Sequence, residues 1–391
     1  MPYASSLSRS GDLDAALEAV CAEVGSALPG AEADLTLLFV SHHHADHFDR
    51  LATDCNRRWP SRIQLGCAGE TVIGGRHEIE TGPALSLFSA VLPGAQLEPF
   101  RLEFAQTRDG ILCSGFPAAA PKDAQAVFVL ADPFTSAPHS LIDRMAMDLP
   151  GVPLLGGLAS GGAEPGANQM FLNGDPVREG AVGVIVRGGP EIRSVVSQGC
   201  RPIGNPFVVT KAHENVILEL GGQPTLKALN ELVPSLSDRD LRLIRSGLHV
   251  GIAMSEYQRE FRRGDFLISN VIGADQESGA LAIASPVRLG QTIQFHVRDA
   301  DAADEDLNQL LATDLAENTD APCQAALLFS CNGRGTRLFA ERHHDAAAIQ
   351  GKLGDKPGEL PLAGFFAQGE LGPVGGKNYV HGFTASVALF T

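Results

Sequence analysis

The sequence has 391 residues, of which 44% are hydrophobic and 19% charged, a composition typical of a folded globular protein. A chain of this length exceeds one ordinary hydrophobic core and predicts two domains. The formal net charge is −16 with no lysine- or arginine-rich run, which excludes nucleic acid as a partner. Because no apolar stretch reaches membrane-spanning length and the seven cysteines contain no Cys-x-x-Cys pair, we expect a cytoplasmic protein without membrane insertion.

The first predicted elements are an amphipathic helix and a buried strand. Apolar residues at helical spacing predict a helix over 12–28, which Pro29-Gly30 would end. The continuous apolar run LTLLFVS at 35–41 follows, and it is typical of a strand in a sheet covered on both faces. Similar apolar runs recur at 126–132, 248–254 and 325–331.

Three of these runs are each followed by a helical stretch and then by a segment punctuated with glycine. The glycine segments are LGCAGE at 65–70, LGGLASGG at 155–162 and AGFFAQGE at 363–370. Each leads into a further β-rich run, so we interpret the pattern as a repeated unit of strand, helix, strand, glycine loop and strand. The sequence therefore predicts an α/β (α+β) fold of two related domains, in which mixed β-sheets are flanked by helices.

The run at 248–254 begins an altered unit. Residues 266–297 alternate in a β pattern, and the string Asp-Gln-Glu-Ser-Gly within them predicts a hairpin turn. The boundary between the two halves falls within 204–225, and we set the domains at 1–215 and 216–391.

A histidine-rich string, SHHHADH at 41–47, follows the first buried strand and matches the dinuclear metal motif of the metallo-β-lactamases. Its metal ligands would be His42, His44, Asp46 and His47. That fold also needs ligands on later loops, whereas no histidine occurs between His77 and His139. We therefore predict no metal and no other cofactor, and a metal-dependent hydrolase built on this cluster is the alternative.

The turn after the strand at 325–331 carries the residues Cys331, Asn332, Gly333 and Arg334. Ligands gather at the carboxyl ends of strands in open α/β sheets, and Arg334 offers a planar donor fork to a carboxylate or phosphate. The competing interpretation is that Arg334 caps a carbonyl or pairs with a surface acid. His343-His344-Asp345 is typical of an exposed loop.

Catalysis by a thiol is a second alternative, with Cys331 as the nucleophile of a hydrolase. The sequence contains no complete set of nucleophile, base and oxyanion donors. We therefore expect a binding protein and not an enzyme.

Over essentially its whole length the chain resembles the FIST proteins, which combine an N-terminal and a C-terminal FIST domain. In the first half the resemblance rests on LTLLFVS, LGCAGE, GGLASGG and SQGCRPIGNPFVVTKAHENVILELGGQP at 197–224. In the second half it rests on FLISNVIGADQESGAL, RLGQTIQFHVRDA, AALLFSCNGRG and GFFAQGELGPVGG. The resemblance implies a sensory module that binds a small ligand, such as an amino acid, and reports it to a separate signalling output protein.

The candidate ligand site in this sequence combines a turn with a glycine loop. The turn supplies Cys331, Asn332, Gly333 and Arg334, and the loop supplies Gly364, Gly369 and Glu370. His381 and Arg201 would complete the polar lining of a small pocket.

Overall fold

The computed structural model describes residues 2–108, 110–117, 123–257, 260–261, 264–354 and 360–391. It confirms an α/β fold with mixed sheets and two compact units. Unit 1 comprises Met1–Ser197, Leu307–Val380 and Thr384–Thr391, and unit 2 comprises Gln198–Asp306 and His381–Phe383. The domain boundary between residues 215 and 216 stays a prediction. None of the described helices combines the length and the apolar character that crossing a membrane requires.

The helices are α1 (Leu13–Ala27), α2 (Phe48–Arg58), α3 (Pro138–Asp148), α4 (Thr225–Leu232), α5 (Asp238–Ser246), α6 (Ala300–Glu317) and α7 (His344–Leu353). Short 3-10 helices occupy His42–His47, Val233–Ser235 and Gly335–Arg337. The first strands are β1 (Tyr3–Ser8), β2 (Ala33–Ser41), β3 (Ser61–Gly69), β4 (Val72–Gly74), β5 (His77–Ile79), β6 (Leu85–Ala90), β7 (Gln96–Thr107), β8 (Gly110–Ser114) and β9 (Ala124–Ala131).

The middle strands are β10 (Leu154–Leu158), β11 (Met170–Leu172), β12 (Asp175–Val177), β13 (Ala181–Arg187), β14 (Ile192–Gln198), β15 (Cys200–His213), β16 (Val216–Leu220) and β17 (Gln223–Pro224). The last strands are β18 (Leu248–Ala253), β19 (Phe266–Asp275), β20 (Ala280–Ile283), β21 (Thr292–Arg298), β22 (Ala325–Cys331), β23 (Leu362–Ala367), β24 (Glu370–Val374), β25 (Lys377–His381) and β26 (Thr384–Phe390).

The first helix and the buried strands form where the apolar pattern predicts them. Asp12 caps α1 by accepting a hydrogen bond from Ala15 N at 2.8 Å, and the apolar face of the helix is buried. Every residue of β22 is buried, because helices cover one face of its sheet and a shared core covers the other.

Three pairs of parallel strands form the framework of unit 1. The strands of each pair are joined through a helix, in the combinations β2-α2-β3, β9-α3-β10 and β22-α7-β23. On its other side, the first strand of each pair has an antiparallel neighbour, which is β6, β13 or β26 respectively. A crossover through a helix is the usual connection of parallel strands.

Each of these three sheets also contains a short strand from elsewhere in the chain. This strand comes directly after the parallel pair of one of the other two sheets. β4, which follows β3, pairs with β23; β11, which follows β10, pairs with β3; and β24, which follows β23, pairs with β10. The three exchanges form a closed cycle within unit 1. The inner faces of the sheets share one core, whose aromatic members include Phe39, Phe128, Phe329, Phe365 and Phe390. The helices pack on the outer faces.

The glycine segments, which the sequence predicts as loops, lie largely within strands, and the loop prediction is wrong there. β3, β10 and β23 contain most of them. In each strand one glycine faces a main-chain oxygen of the parallel neighbour too closely for a side chain. These pairs, with the distance from an added Cβ to that oxygen, are Gly66–Leu38 (2.2 Å), Gly156–Val129 (1.9 Å) and Gly364–Leu328 (1.9 Å). The glycines therefore permit close strand approach.

Unit 2 is built on one sheet with the strand order β15-β21-β18-β19-β20-β16-β17. Its pairings are antiparallel, which distinguishes it from the parallel pairs of unit 1. The Asp-Gln-Glu-Ser-Gly string connects β19 to β20 in the predicted hairpin. α4 packs on this sheet through Ala228 and Leu232.

Candidate functional site

The carboxyl ends of β3, β10 and β23 meet in unit 1 around Ser160. Ser160 N donates to Ala68 O at 3.2 Å, and Ser160 Oγ donates to Phe366 O at 2.5 Å. The same hydroxyl accepts from Glu70 N at 2.9 Å. One serine thus joins three strand ends, and this edge is where ligands gather in α/β sheets.

Six residues at this edge form what we call the strand-end cluster: Glu70, Ser160, Cys331, Asn332, Arg337 and Glu370. The Arg337 guanidinium pairs with the Glu70 carboxylate and also donates to Asn332 O at 2.9 Å. The two paired side chains remain 57% and 36% exposed, so their attraction is weak and the pair can open. Asn332 Oδ1 is buried and has no hydrogen-bond partner among the described residues.

Glu370 is the fully buried carboxyl of this cluster. Its Oε2 accepts hydrogen bonds from Thr384 N at 3.0 Å and from Thr384 Oγ1 at 2.7 Å. Burial raises the pKa of Glu370 to about 8, although the bonds from Thr384 and the nearby Cys331 thiol act to lower it. Its Oε1 has no partner of ordinary hydrogen-bond geometry in the described part of the chain. At neutral pH this side chain is therefore mostly an uncharged acid.

Arg334 is held in a buried ion pair with Asp345. Its Nε and Nη2 donate to the two carboxylate oxygens of Asp345, each at 2.7 Å, and both side chains are 0% exposed. Burial alone would raise the pKa of Asp345, but the guanidinium holds it well below its usual value. The expectation of an exposed loop at 343–345 is wrong for Asp345, which lies in the first turn of α7.

The remaining predicted ligand residues lie in different elements of the fold. Gly333 N donates to Cys331 Sγ at 3.3 Å in the turn, and Gly369 lies against Leu158 at the strand ends. Gly364 lies inside β23, as described above. The last two residues belong to unit 2. They are His381 and Arg201, whose guanidinium pairs there with Asp240 and Asp299.

The histidine-rich string forms a 3-10 helix whose side chains face different surroundings. His44 is buried, His42 is half-buried beside Asn168, and Asp46 and His47 are exposed. Burial lowers the pKa of both His42 and His44. Within the described residues, no group of three or more histidine, cysteine, aspartate or glutamate side chains is placed to hold a metal ion. The alternative of a metal-dependent hydrolase gains no support from this geometry.

Ser160 and Arg337 are not predicted from the sequence, whereas Glu70 ends the glycine segment at 65–70 just as Glu370 ends the segment at 363–370. Ser160 lies within a glycine segment and gave no signal of its own. Arg337 follows Arg334, the last residue of the turn, by three residues, and this spacing is the sequence feature that indicates a second arginine near the strand end. Both positions follow strand ends, where polar side chains are worth examining.

Comparison with known proteins adds a second line of evidence. The family model for the FIST N domain matches residues 34–223, and the model for the FIST C domain matches residues 225–373. The uncharacterized protein Rv0628c of Mycobacterium tuberculosis is 40% identical over 380 residues, which cover 97% of each chain. The uncharacterized protein Mb0898c of Mycobacterium bovis is 40% identical over 364 residues, which cover 93% of this chain and 92% of the relative.

Proposed function

Because the chain belongs to the FIST family, we propose that it is a cytoplasmic sensor that binds a small amine-bearing ligand and reports it to a partner protein. FIST domains are sensory domains of signal transduction and are not known as catalytic modules. The ligand class, the partner and the location in the cytoplasm are parts of the proposal. So is the division of the chain into domains at 1–215 and 216–391.

The unpartnered oxygens of the strand-end cluster carry this proposal. Asn332 Oδ1 and Glu370 Oε1 are both buried acceptors without a hydrogen-bond donor in the described part of the chain. A buried polar atom left in this state costs about 1–3 kcal/mol, so a ligand that donates to both would stabilise the folded protein. An ammonium group carries three donors and a charge that favours ionisation of Glu370.

An amino acid fits these groups because it carries both charges. Its ammonium would donate to Glu370 and Asn332, and its carboxylate would accept from Arg337. The weak pair between Arg337 and Glu70 would then open, which leaves Glu70 free at the surface. This exchange gives the protein two states with different ligand affinity, as a sensor requires.

We propose binding without chemical turnover. The sequence contains no complete set of nucleophile, base and oxyanion donors around Cys331. A thiol hydrolase is therefore a weaker account of the same turn.

A thermal-shift screen of the full-length protein against the free amino acids tests the proposal. At a concentration of about 100 Kd, one ligand should raise the free energy of unfolding by about 2.7 kcal/mol. Two variants, Glu370→Gln and Arg337→Ala, should each reduce this shift. Arg178→Ala is the matched control, since Arg178 is also an exposed arginine in an ion pair, with Asp49.

The proposal fails if no amino acid shifts the melting temperature. It also fails if a ligand shifts the wild type and Glu370→Gln equally, because the ammonium would then not contact this carboxyl.

A further inference from the structure

A polar cavity lies elsewhere in unit 1, between β5 and the segment that leads into α7. Its volume is about 100 Å³, and the residues that matter to the argument are Arg9, Glu78, Glu80, Thr336, Arg342 and His343. It shares no residue with the strand-end cluster. The cavity can therefore be tested independently of the proposed function.

The floor of this cavity is Glu78, which is 2% exposed. Glu78 Oε1 accepts a hydrogen bond from Ala346 N at 2.9 Å, in the first turn of α7. Glu78 Oε2 is buried and has no partner among the described residues. Burial and the nearby Asp345 raise the pKa of Glu78 to about 8, against the lowering effects of Ala346 N and Arg334. At neutral pH Glu78 is thus mostly an uncharged acid with an O–H group to donate.

The other carboxylate in the wall is already satisfied. Both Glu80 oxygens accept from Thr336 N at 3.1 Å, and Glu80 Oε2 also accepts from Thr336 Oγ1 at 2.5 Å. Glu80 also packs against Gly335, which has a φ of +59° and leaves room for the carboxyl group. Both oxygens of Glu80 are therefore hydrogen-bonded within the protein.

Two arginines and one carboxylate, Glu80, line the cavity beside the uncharged Glu78, so its net charge is positive. Arg9 and Arg342 line the exposed part of the cavity, and neither takes part in an ion pair within the described residues. His343 adds a further donor, because its Nδ1 accepts from Glu78 N at 3.0 Å and the neutral ring then carries its proton on Nε2. The backbone of His343 is left-handed, with a φ of +66°, a conformation that side chains disfavour. The ring is held in place by this bond and by contact with His77.

We propose that this cavity is a binding site for a small carboxylate, which Arg9 and Arg342 hold by charge-assisted hydrogen bonds while Glu78 donates from the floor. Two guanidinium forks and a neutral acid form a set of donors that suits an oxyanion. A cavity of about 150 Å³ accommodates benzene, so one of about 100 Å³ holds roughly four non-hydrogen atoms. That is the size of a carboxylate group with its first carbons, and a longer chain would extend through the mouth.

Saturation-transfer NMR with acetate, acetamide and ethylammonium tests this site on the full-length protein. Acetate should bind with a Kd on the order of 1 mM, in line with the efficiency of very small ligands. Acetamide should bind more weakly and ethylammonium not at all. Arg9→Ala and Arg342→Ala should each weaken acetate binding by about tenfold or more. Arg76→Ala is the control, because Arg76 is an exposed arginine nearby that does not line the cavity.

A pH series adds a readout that a nonspecific charge effect would not produce. The charged or titratable groups around Glu78 are Arg334, Asp345, Glu80 and His343, together with Arg9 and Arg342, which line the same cavity. Acetate binding should weaken as pH rises through about 8, since ionised Glu78 repels the anion. In Glu78→Gln, which keeps a donor, binding should persist without this decline. Equal affinity for acetate in the wild type and in the Arg9→Ala, Arg342→Ala double variant would overturn the proposal, as would stronger binding of ethylammonium.

Discussion

Two fully buried carboxyl groups near the end of β22 have different hydrogen-bond partners, and this difference separates a structural group from a candidate binding group. Asp345 faces the Arg334 guanidinium through two hydrogen bonds, and its pKa lies well below the usual value. Glu370 faces Thr384 and the Cys331 thiol, and its pKa is raised to about 8. Burial acts on both groups in the same direction, so the guanidinium decides the outcome.

The polar residues of this edge thus fall into two groups, those that satisfy each other and those that do not. Asp345 and Arg334 satisfy each other's hydrogen bonds and charge, so this pair is structural. Glu370 Oε1 has no hydrogen-bond partner of ordinary geometry among the described residues, and burial disfavours the charged form of this carboxyl. Arg334, within the turn, is therefore buried in a structural pair, whereas the later Arg337 is exposed.

Removing Arg334 should have the largest effect. Arg334→Ala would leave Asp345 buried and unpaired, and loss of one partner of a buried pair destabilises a protein by about 3–5 kcal/mol. Urea unfolding of the full-length variant measures this loss. The control is Arg337→Ala, whose exposed pair should contribute at most about 1 kcal/mol. Equal losses in the two variants would contradict the distinction between the buried and the exposed arginine.

The second largest effect should come from Glu370, in the pH dependence of the free energy of unfolding. Its folded pKa of about 8 exceeds the ordinary value of 4.5, so the folded state binds the proton more tightly than the unfolded state. The stabilisation from this proton is fully present below pH 4.5 and is lost as pH rises through about 8. In this window the stability of the wild type relative to Glu370→Gln should fall by about 1.4 kcal/mol per pH unit.

The contribution of Asp345 to stability should depend on pH in the opposite direction. Its lowered pKa means that its contribution is present at neutral pH and is lost as pH falls below 3.8 towards the folded value. A difference curve for Glu370→Gln that is flat between pH 5 and 8 would contradict the raised pKa of Glu370 and with it the contrast between the two carboxyl groups.

The smallest expected effect concerns Glu70. Glu70→Gln removes the charge from a partly exposed pair, so the free energy of unfolding should change by about 1 kcal/mol or less. Differential scanning calorimetry at low and high salt measures the change, which added salt should reduce further. A larger loss would show that Glu70 stabilises the strand ends and is not available for exchange.

Local patterns sufficed for much of the fold. Continuous apolar runs marked β22 and its counterparts because strands buried on both faces need apolar residues throughout. Asp12 and the helical spacing after it marked α1. The glycine segments led to a wrong prediction of loops. Gly66 and its counterparts are required because a neighbouring strand approaches closely, and local sequence does not reveal that approach.

Less of the candidate site than of the fold could be predicted from the sequence. The sequence predicts a turn at 331–334 after a strand and assigns Glu370 to the glycine loop of the candidate site. The buried partner of Arg334 lies 11 residues later in a string that reads as a surface loop. Glu78 lies 268 residues from its partner Ala346, so only the fold brings them together. Charge alone therefore gave no sign of which arginine is buried.

Calorimetry of ligand binding in buffers with different ionisation enthalpies tests the central claim most directly. Glu370 is mostly protonated at pH 7, so an amino acid whose ammonium binds it should release about one proton. We predict that this release occurs in the wild type and is absent in Glu370→Gln. Binding with no released proton, or with the same release in both proteins, would contradict the account of Glu370 as the ligand-binding carboxyl.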